Sequence, residues 1–407
     1  MPFHQKKFPI NLKNSYRILI DQVLDQYRKE LEVELDNILG FWQAHTADYE
    51  SGGFYGRINN AGEAFKDSPK GSVLNSRILW AFSAAYNLTK NEDYLRTATR
   101  AFHYISSHFI DKEFGGVYWT VDYKGNPLDS KKQIYALSFA IYGLSEFYIA
   151  GKVEEAKLAA IDLYKTIVQY SYDHENGGYI EALSGNWEPL EDLRLSNKDA
   201  NEKKSMNTHL HVLEAFANLY RIWPDEKLNE RTTELIYIFQ RHIIDPETHH
   251  LMLFFDEEWN NKSATISYGH DIEAAWLIQE AAEILENPEL INQINKQSLL
   301  IADAATEGLD SDGGLWYEFD EKNDKLIKEK HWWPQAEAMV GFFNAWQTSG
   351  HQFYLDHSLK SWNFIQQHII DKENGEWFWG VQADSSIMEE PPVGLWHCPY
   401  HTVRACV

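Results

Sequence analysis

"DKEFGGVYW" (Asp111–Trp119) reads as a break followed by a short strand: two glycines stop a helix, and Val-Tyr-Trp then favours extended backbone. The same phrase returns as "DYESGGFYG" from Asp48, "DHENGGYIE" from Asp173 and "DKENGEWFWG" from Asp371. Looser copies are "DPETHHLMLFF" from Asp245 and "DSDGGLWYE" from Asp310. Counted at the second glycine or its equivalent, the turns fall at 53, 116, 178, 250, 314 and 375, with spacings of 63, 62, 72, 64 and 61. Spacing this regular marks a repeat of six units.

Each unit carries two kinds of helix. In the first, "GSVLNSRILWAFSAAYNL" (71–88) is apolar around most of its circumference, which predicts a buried helix. "NEDYLRTATRAFHYISSHFI" (91–110) instead puts Tyr94, Leu95, Ala98, Ala101, Phe102, Ile105 and Phe109 on one face, which predicts a helix lying outside it. The chain begins with a lone amphipathic helix over about 15–44 and ends on a sixth turn and the start of one helix, "YHTVRACV". Two half-pairs that join close a ring, and a closed ring needs no capping repeats. The expected fold is therefore all-α, an (α/α)6 barrel over 1–407 as one domain, with six short β-hairpins gathered at one end. The length alone also allows two ordinary helical domains.

Composition narrows the partners. The net charge of −24 argues against nucleic acid or an anionic membrane, both of which need a basic face. The two cysteines, Cys398 and Cys406, are too few for a disulfide framework and fit a reducing compartment. The first residues, "MPFHQKKFPINLKNS", have no apolar signal core, and no run of eighteen apolar residues occurs, so a cytoplasmic location is expected. The aromatic load of 15 Trp, 22 Tyr and 21 Phe exceeds what a core alone explains, and part of it can serve a binding surface.

If all six turns share one rim, the residues that open the inner helices converge there. Those openings read "LNSR" (Asn75, Arg77), "QIYALS" (Tyr135), "MNTH" (Asn207, His209), "SYGH" (His270), "WWPQAE" (Trp332, Trp333, Glu337) and "PYH" (His401). One histidine at a helix start is usually a solvated or capping residue, but three in register across repeats point to a site. Arg77 also admits a structural ion pair, and Trp332, Trp333 and Trp396 also admit a core role. His103, His108, His242, His249, His250 and His368 read as surface residues of outer helices or turns. Metal ligation is not favoured: His209 and His211 are two apart and face different ways, and the His270–Glu273 pair has no HExxH or second acidic cluster beside it. The turn aspartates lack EF-hand spacing, and no phosphate-binding glycine loop or GxSxG occurs.

Five separated blocks, "KGSVLNSRILWAFSAAY", "RLSNKDANEKKSMNTHLHVLEAFANLYRIWPD", "SYGHDIEAAWLI", "HWWPQAEAMVGFFNAW" and "CPYHTVRAC", resemble the N-acylglucosamine 2-epimerase superfamily, and most of all its cellobiose 2-epimerase branch. The resemblance spans almost the whole chain. Members usually continue the last helix beyond the point where this sequence stops at Val407, so a short sixth inner helix is expected. The resemblance implies epimerisation, without a cofactor, at C2 of the reducing-end sugar of β-1,4-linked disaccharides: cellobiose to glucosyl-mannose, lactose to epilactose. It implies His270 and His401 as the acid/base pair, Arg77 and His209 at the sugar oxygens, Glu273 near the first catalytic histidine, and stacking by Trp333 and Trp396. Tyr135, Asn207 and Trp332 complete the expected sugar-binding set.

The chemistry asks for such a set. Inverting C2 of an aldose requires an open ring, removal of the C2 proton to a cis-enediolate, and return of a proton to the opposite face. Histidine can be base in one direction and acid in the other because its free pKa is about 6.5. A fixed cation such as Arg77 and a donor such as His209 would stabilise the enediolate charge. A mannose 2-epimerase or aldose–ketose isomerase would use the same rim on a smaller sugar. A glycoside hydrolase would need paired carboxylates instead, and a sugar-binding barrel would have no use for paired histidines.

Overall fold

The structure is a computed structural model that describes residues 14–407; the polar start read in the sequence lies outside the described residues. Six helices form an inner ring: α2 (Ser72–Thr89), α4 (Ile134–Gly151), α6 (Met206–Tyr220), α8 (Tyr268–Ile284), α10 (Trp332–Ser349) and α12 (Pro399–Cys406). Six surround them: α1 (Asn14–His45), α3 (Glu92–Tyr104), α5 (Glu154–Tyr170), α7 (Glu226–Ile238), α9 (Pro288–Ala305) and α11 (Gln352–Phe364). Each inner helix packs on the next, and α12 packs on both α10 and α2, which closes the ring. The half-pairs at the two ends join as α1 against α12. This is the expected (α/α)6 barrel, and α12 is short, with eight residues. The helix α4 is apolar and long enough to cross a membrane by composition alone, yet it is an inner helix buried over most of its surface.

Why the same turn six times has a physical answer. In five of the turns an aspartate (Asp48, Asp111, Asp173, Asp245 or Asp371) accepts the backbone N–H groups two and three residues on. The Gly-Gly pairs at 52–53, 115–116 and 177–178 take positive φ, open to glycine without strain. Three of these aspartates, and Asp310 of a fourth turn, also receive a buried lysine standing two residues before an inner helix. Lys70 meets Asp48 at 2.7 Å, Lys132 meets Asp111 at 2.5 Å, Lys204 meets Asp173 at 2.7 Å and Lys330 meets Asp310 at 2.8 Å. Removing one partner of such a buried pair costs about 3–5 kcal/mol. The turn is a pin that holds α2, α4, α6 and α10 at the rim. Short antiparallel strands tie neighbours together: the residues entering one inner helix pair with the hairpin of the next repeat, as in Lys132–Gln133 with 182–183 and Lys204–Ser205 with 254–255.

His250 departs from the sequence reading. It is 4% exposed rather than a surface residue, because its imidazole reaches inward to Asp271 on α8.

Two buried acids mark the seam where the ring closes. Glu376 accepts the indole N–H of Trp42 and the backbone N–H of Trp377, and Trp377 donates its indole N–H to Glu34 at 2.7 Å. Among the described residues no cation faces Glu376, and burial pushes its carboxyl up to about 8. It therefore holds its proton in the fold and loses it on unfolding at neutral pH. Stability from this group is fully present below the ordinary value of 4.5 and is lost as pH rises to about 8. The loss is roughly 3–5 kcal/mol across that window. Glu376→Gln should therefore gain on wild type in Tm as pH is raised from 5 to 8.5; melting curves that stay parallel over that range would mean that Glu376 is ionised in the fold.

Candidate active site

The barrel places one position of every inner helix at the same level. The sixth residues of α2, α4, α6, α8, α10 and α12 are Arg77, Phe139, His211, Glu273, Glu337 and Arg404. They meet across the axis. The Arg77 guanidinium lies 4.2 Å from the Phe139 ring centre, Phe139 is 4.6 Å from His211, and Arg404 Nη2 donates to Glu273 and Glu337 at 2.5 Å each. Nearer the rim stand His270 and His401, each the third residue of its helix. Trp333, the second residue of α10, lies against both, 4.7 Å from His270 and 5.7 Å from His401. Gly269 makes this possible, because a Cβ there would meet the Trp333 indole at 2.7 Å. His270, Trp333, Asn207 and Trp396 are half-buried, so the site opens at the rim. Trp396 packs on Tyr135 at 6.0 Å.

The two histidines have different backing. His401 Nδ1 meets Glu337 Oε1 at 2.7 Å, whereas His270 Nδ1 meets the Ser267 hydroxyl at 2.8 Å. Burial pushes both imidazoles down to about 3, so both are neutral bases at neutral pH. Burial opposes ionisation of Glu337 too, but Arg404 and His401 outweigh it and hold that carboxyl low. Burial and the Glu337 charge push Glu273 up, so the two carboxyls that share Arg404 divide into one ionised and one protonated. Arg77 is 3% exposed. It donates to the Tyr135 hydroxyl at 2.7 Å and to Cys398 Sγ at 3.7 Å, its Nε has no partner, and among the described residues no carboxylate pairs with it. A buried cation left without an anion is costly unless something else brings the negative charge. Asn207 Oδ1 is likewise buried and unpartnered.

Glu273, Glu337 and His401 bring ligand-type atoms within 4.8 Å of one another, a spacing that a cation would accept. Arg404 Nη2 already stands between the two carboxylates, so the chain supplies the positive charge at that point.

Three sequence readings are corrected. His209 is not at the site. It is the fourth residue of α6, fully buried, with Nδ1 on Ser205 O at 2.7 Å and Nε2 accepting the Tyr179 N–H at 2.9 Å. Both nitrogens are spent on the turn. The axial histidine is His211, four residues after Asn207 and thus on its face, backed by Glu214 at 2.9 Å. Trp332 is 3% exposed and packs between Trp379 and His397 at 4.4 Å each, behind the histidine pair. Glu273 lies 4.0 Å from His401 and is held by Arg404; Glu337 is the residue that orients the imidazole. Glu214, Arg404 and Tyr400 were not read as site residues. Stepping three positions inward from His401 finds Arg404, and from His211 finds Glu214, because that spacing keeps to one helix face.

Known proteins share this arrangement of elements. A profile of the N-acylglucosamine 2-epimerase (GlcNAc 2-epimerase) family matches residues 53–405. A cellobiose 2-epimerase of Bacteroides fragilis is 47% identical over 390 residues, covering 95% of this chain and 99% of its own. The structure of a cellobiose 2-epimerase from Bacillus thermoamylovorans superposes with a TM-score of 0.90 at 38% identity, over 94% of this chain and 98% of that one. A D-mannose isomerase crystal structure at 21% identity shares the fold, with a TM-score of 0.82 over 93% of this chain and 96% of its own. Matched along nearly its whole length, the chain belongs to the N-acylglucosamine 2-epimerase family.

Proposed function

We propose that this protein is a cellobiose 2-epimerase. It inverts C2 of the reducing-end sugar of β-1,4-linked disaccharides, converting cellobiose to glucosyl-mannose and lactose to epilactose. The observation that carries the chemistry is the buried, acid-free Arg77 facing a pair of neutral histidines held by one tryptophan. With the sugar ring open, the C1 carbonyl acidifies the C2 proton. One imidazole takes that proton, the electron pair moves into the cis-enediolate, and the other imidazole returns a proton to the opposite face of C2. Burial leaves both imidazoles neutral in the free protein, so the returning one must take up a proton from solvent as the substrate binds; His401 is the better suited, since the Glu337 carboxylate behind it stabilises imidazolium. The enediolate supplies the anion that Arg77 lacks, so stabilisation grows as charge develops.

The second sugar takes no part in the bond changes and helps only by being held. Trp333, beside both histidines, and Trp396, against Tyr135, offer flat indole faces to a sugar's C–H surface. Trp333→Ala and Trp396→Ala should each lower kcat/KM for cellobiose at least about tenfold, roughly 1.4 kcal/mol of transition-state stabilisation, with little change in Tm. Wild-type efficiency in both folded variants would make these indoles packing residues and remove the physical support for a disaccharide.

The reading itself is tested by incubating the protein with cellobiose, lactose, mannose and fructose in D2O, with and without a chelator, and following products by NMR. Glucosyl-mannose and epilactose carrying deuterium at C2, formed at the same rate with chelator, are expected. Turnover of mannose or fructose alone would favour a monosaccharide isomerase, the activity named for the D-mannose isomerase that shares the fold.

A further inference from the structure

The helix that carries His270 is pinned differently from its neighbours. Two residues before α2, α4, α6 and α10 stand Lys70, Lys132, Lys204 and Lys330, each buried against a turn aspartate. Two residues before α8 stands Ile266, which has no charge to offer. The start of α8 is also locally weak. Its N-cap residue, Ser267, makes no side-chain cap and spends its hydroxyl on His270, and its second residue is Gly269.

What holds this turn is the fourth residue. In α6, His209 accepts the N–H of Tyr179, and in α10, Gln335 accepts the N–H of Leu315 at 2.7 Å. Each of those amides follows the second glycine of its turn. In α8 the same place is taken by Asp271, fully buried, whose Oδ1 accepts the N–H of Leu251 at 2.8 Å. His209 and Gln335 are neutral anchors, but Asp271 is an acid in dry space whose second oxygen needs a hydrogen-bond partner. His250 provides it, with Nδ1 on Asp271 Oδ2 at 2.7 Å and Nε2 3.4 Å from Glu307, while Tyr268 packs 6.0 Å from its ring. His250 occupies the position of the second glycine in the four turns that have one. Here the pin is inverted, with the acid on the helix and its partner on the turn.

We propose that His250 is a positioning residue for the epimerisation: by holding Asp271 it fixes the first turn of α8 and so aims the imidazole of His270, the residue just before Asp271. The inference rests on the two-histidine reading above. Losing the pin lets the imidazole drift relative to C2, while His401, held from α10 and α12 by Glu337 and Arg404, keeps its place.

The test compares wild type with His250→Asn and His250→Gln, two amides that differ in where the N–H stands. Asn places it at the Nδ1 position, toward Asp271; Gln places it at the Nε2 position, toward Glu307. His250→Gln should lower kcat for cellobiose by about ten- to a hundredfold, the scale of an ångström's misplacement, with KM changed less than about threefold. His250→Asn should recover to within about threefold of wild type. In D2O the Gln variant should also show a raised ratio of C2 deuterium exchange to epimerisation, since the His401 face still exchanges its proton. A merely structural loss would lower both rates together. Equal kcat in the two variants, or an unchanged exchange ratio in His250→Gln, would overturn the proposal. His270→Asn is the control for the underlying reading: if it still epimerises, the two-histidine mechanism fails whatever the His250 variants do.

Discussion

Replacing His401 with Asn is expected to lower kcat for cellobiose epimerisation by about 10²–10⁴-fold, the contribution of a positioned general acid–base. Asn can keep an N–H toward Glu337 and so preserve the hydrogen bond that His401 Nδ1 makes at 2.7 Å, but it cannot take a proton from carbon. His270→Asn should fall as far for the same reason. The two variants should then part company in D2O. Each retains one base, so each should still exchange the C2 proton of one epimer, and the epimers should be opposite. The wild-type pH profile is a second check. Burial holds both imidazoles down to about 3, so the free enzyme keeps its bases neutral as pH falls through the ordinary histidine range. The acid limb of kcat/KM attributable to these groups should lie well below about 6.5. Near-normal epimerisation by either Asn variant would remove the two-base assignment.

Arg77→Met should lower kcat/KM by about 10²–10³-fold, the cost of removing one oxyanion donor, while leaving Tm unchanged or raised. The split follows from how Arg77 is housed. The guanidinium is buried, bonded to a neutral hydroxyl and a thiol, and wrapped by Phe139 at 4.2 Å and Tyr400 at 4.7 Å. Cation–π contacts recover about 0.5–2 kcal/mol each, less than a buried charge costs. A methionine of similar length would fill the space without that cost. Arg77→Lys should rescue poorly, because an ammonium cannot keep the Tyr135 bond and present a second donor at the fixed fork angle. Should Arg77→Met unfold the protein, or leave epimerisation intact, Arg77 is a structural residue and the enediolate has another stabiliser.

The site divides along a clear line in how far residue order alone reveals it. His270, His401, Arg77 and Trp333 open inner helices just past a turn motif, so counting from the turns leads to them. Asn-x-Arg in α2 and Asn-x-His in α6 look like one pattern, which would put His209 level with Arg77. The two patterns sit differently on their helices: Arg77 is the sixth residue of α2, but His209 is the fourth residue of α6 and His211 is the sixth. Two positions on a helix are more than half a turn apart, so one histidine faces the axis and the other faces the turn. Only the helix start, set by the pinned strand before it, resolves which.

Period, composition and helical pattern are local properties, and they sufficed for six turns, inner and outer helices, and closure of the ring. A repeat whose apolar faces fit only one packing leaves few alternatives. The meeting of Glu273, Glu337 and Arg404, the isolation of Arg77 from any acid, and the exchange of a lysine pin for His250 and Asp271 were settled by tertiary structure alone. These depend on side chains from distant helices sharing a few ångströms of dry space, where the energy of a charge is set by what else is present there and not by its neighbours in the chain.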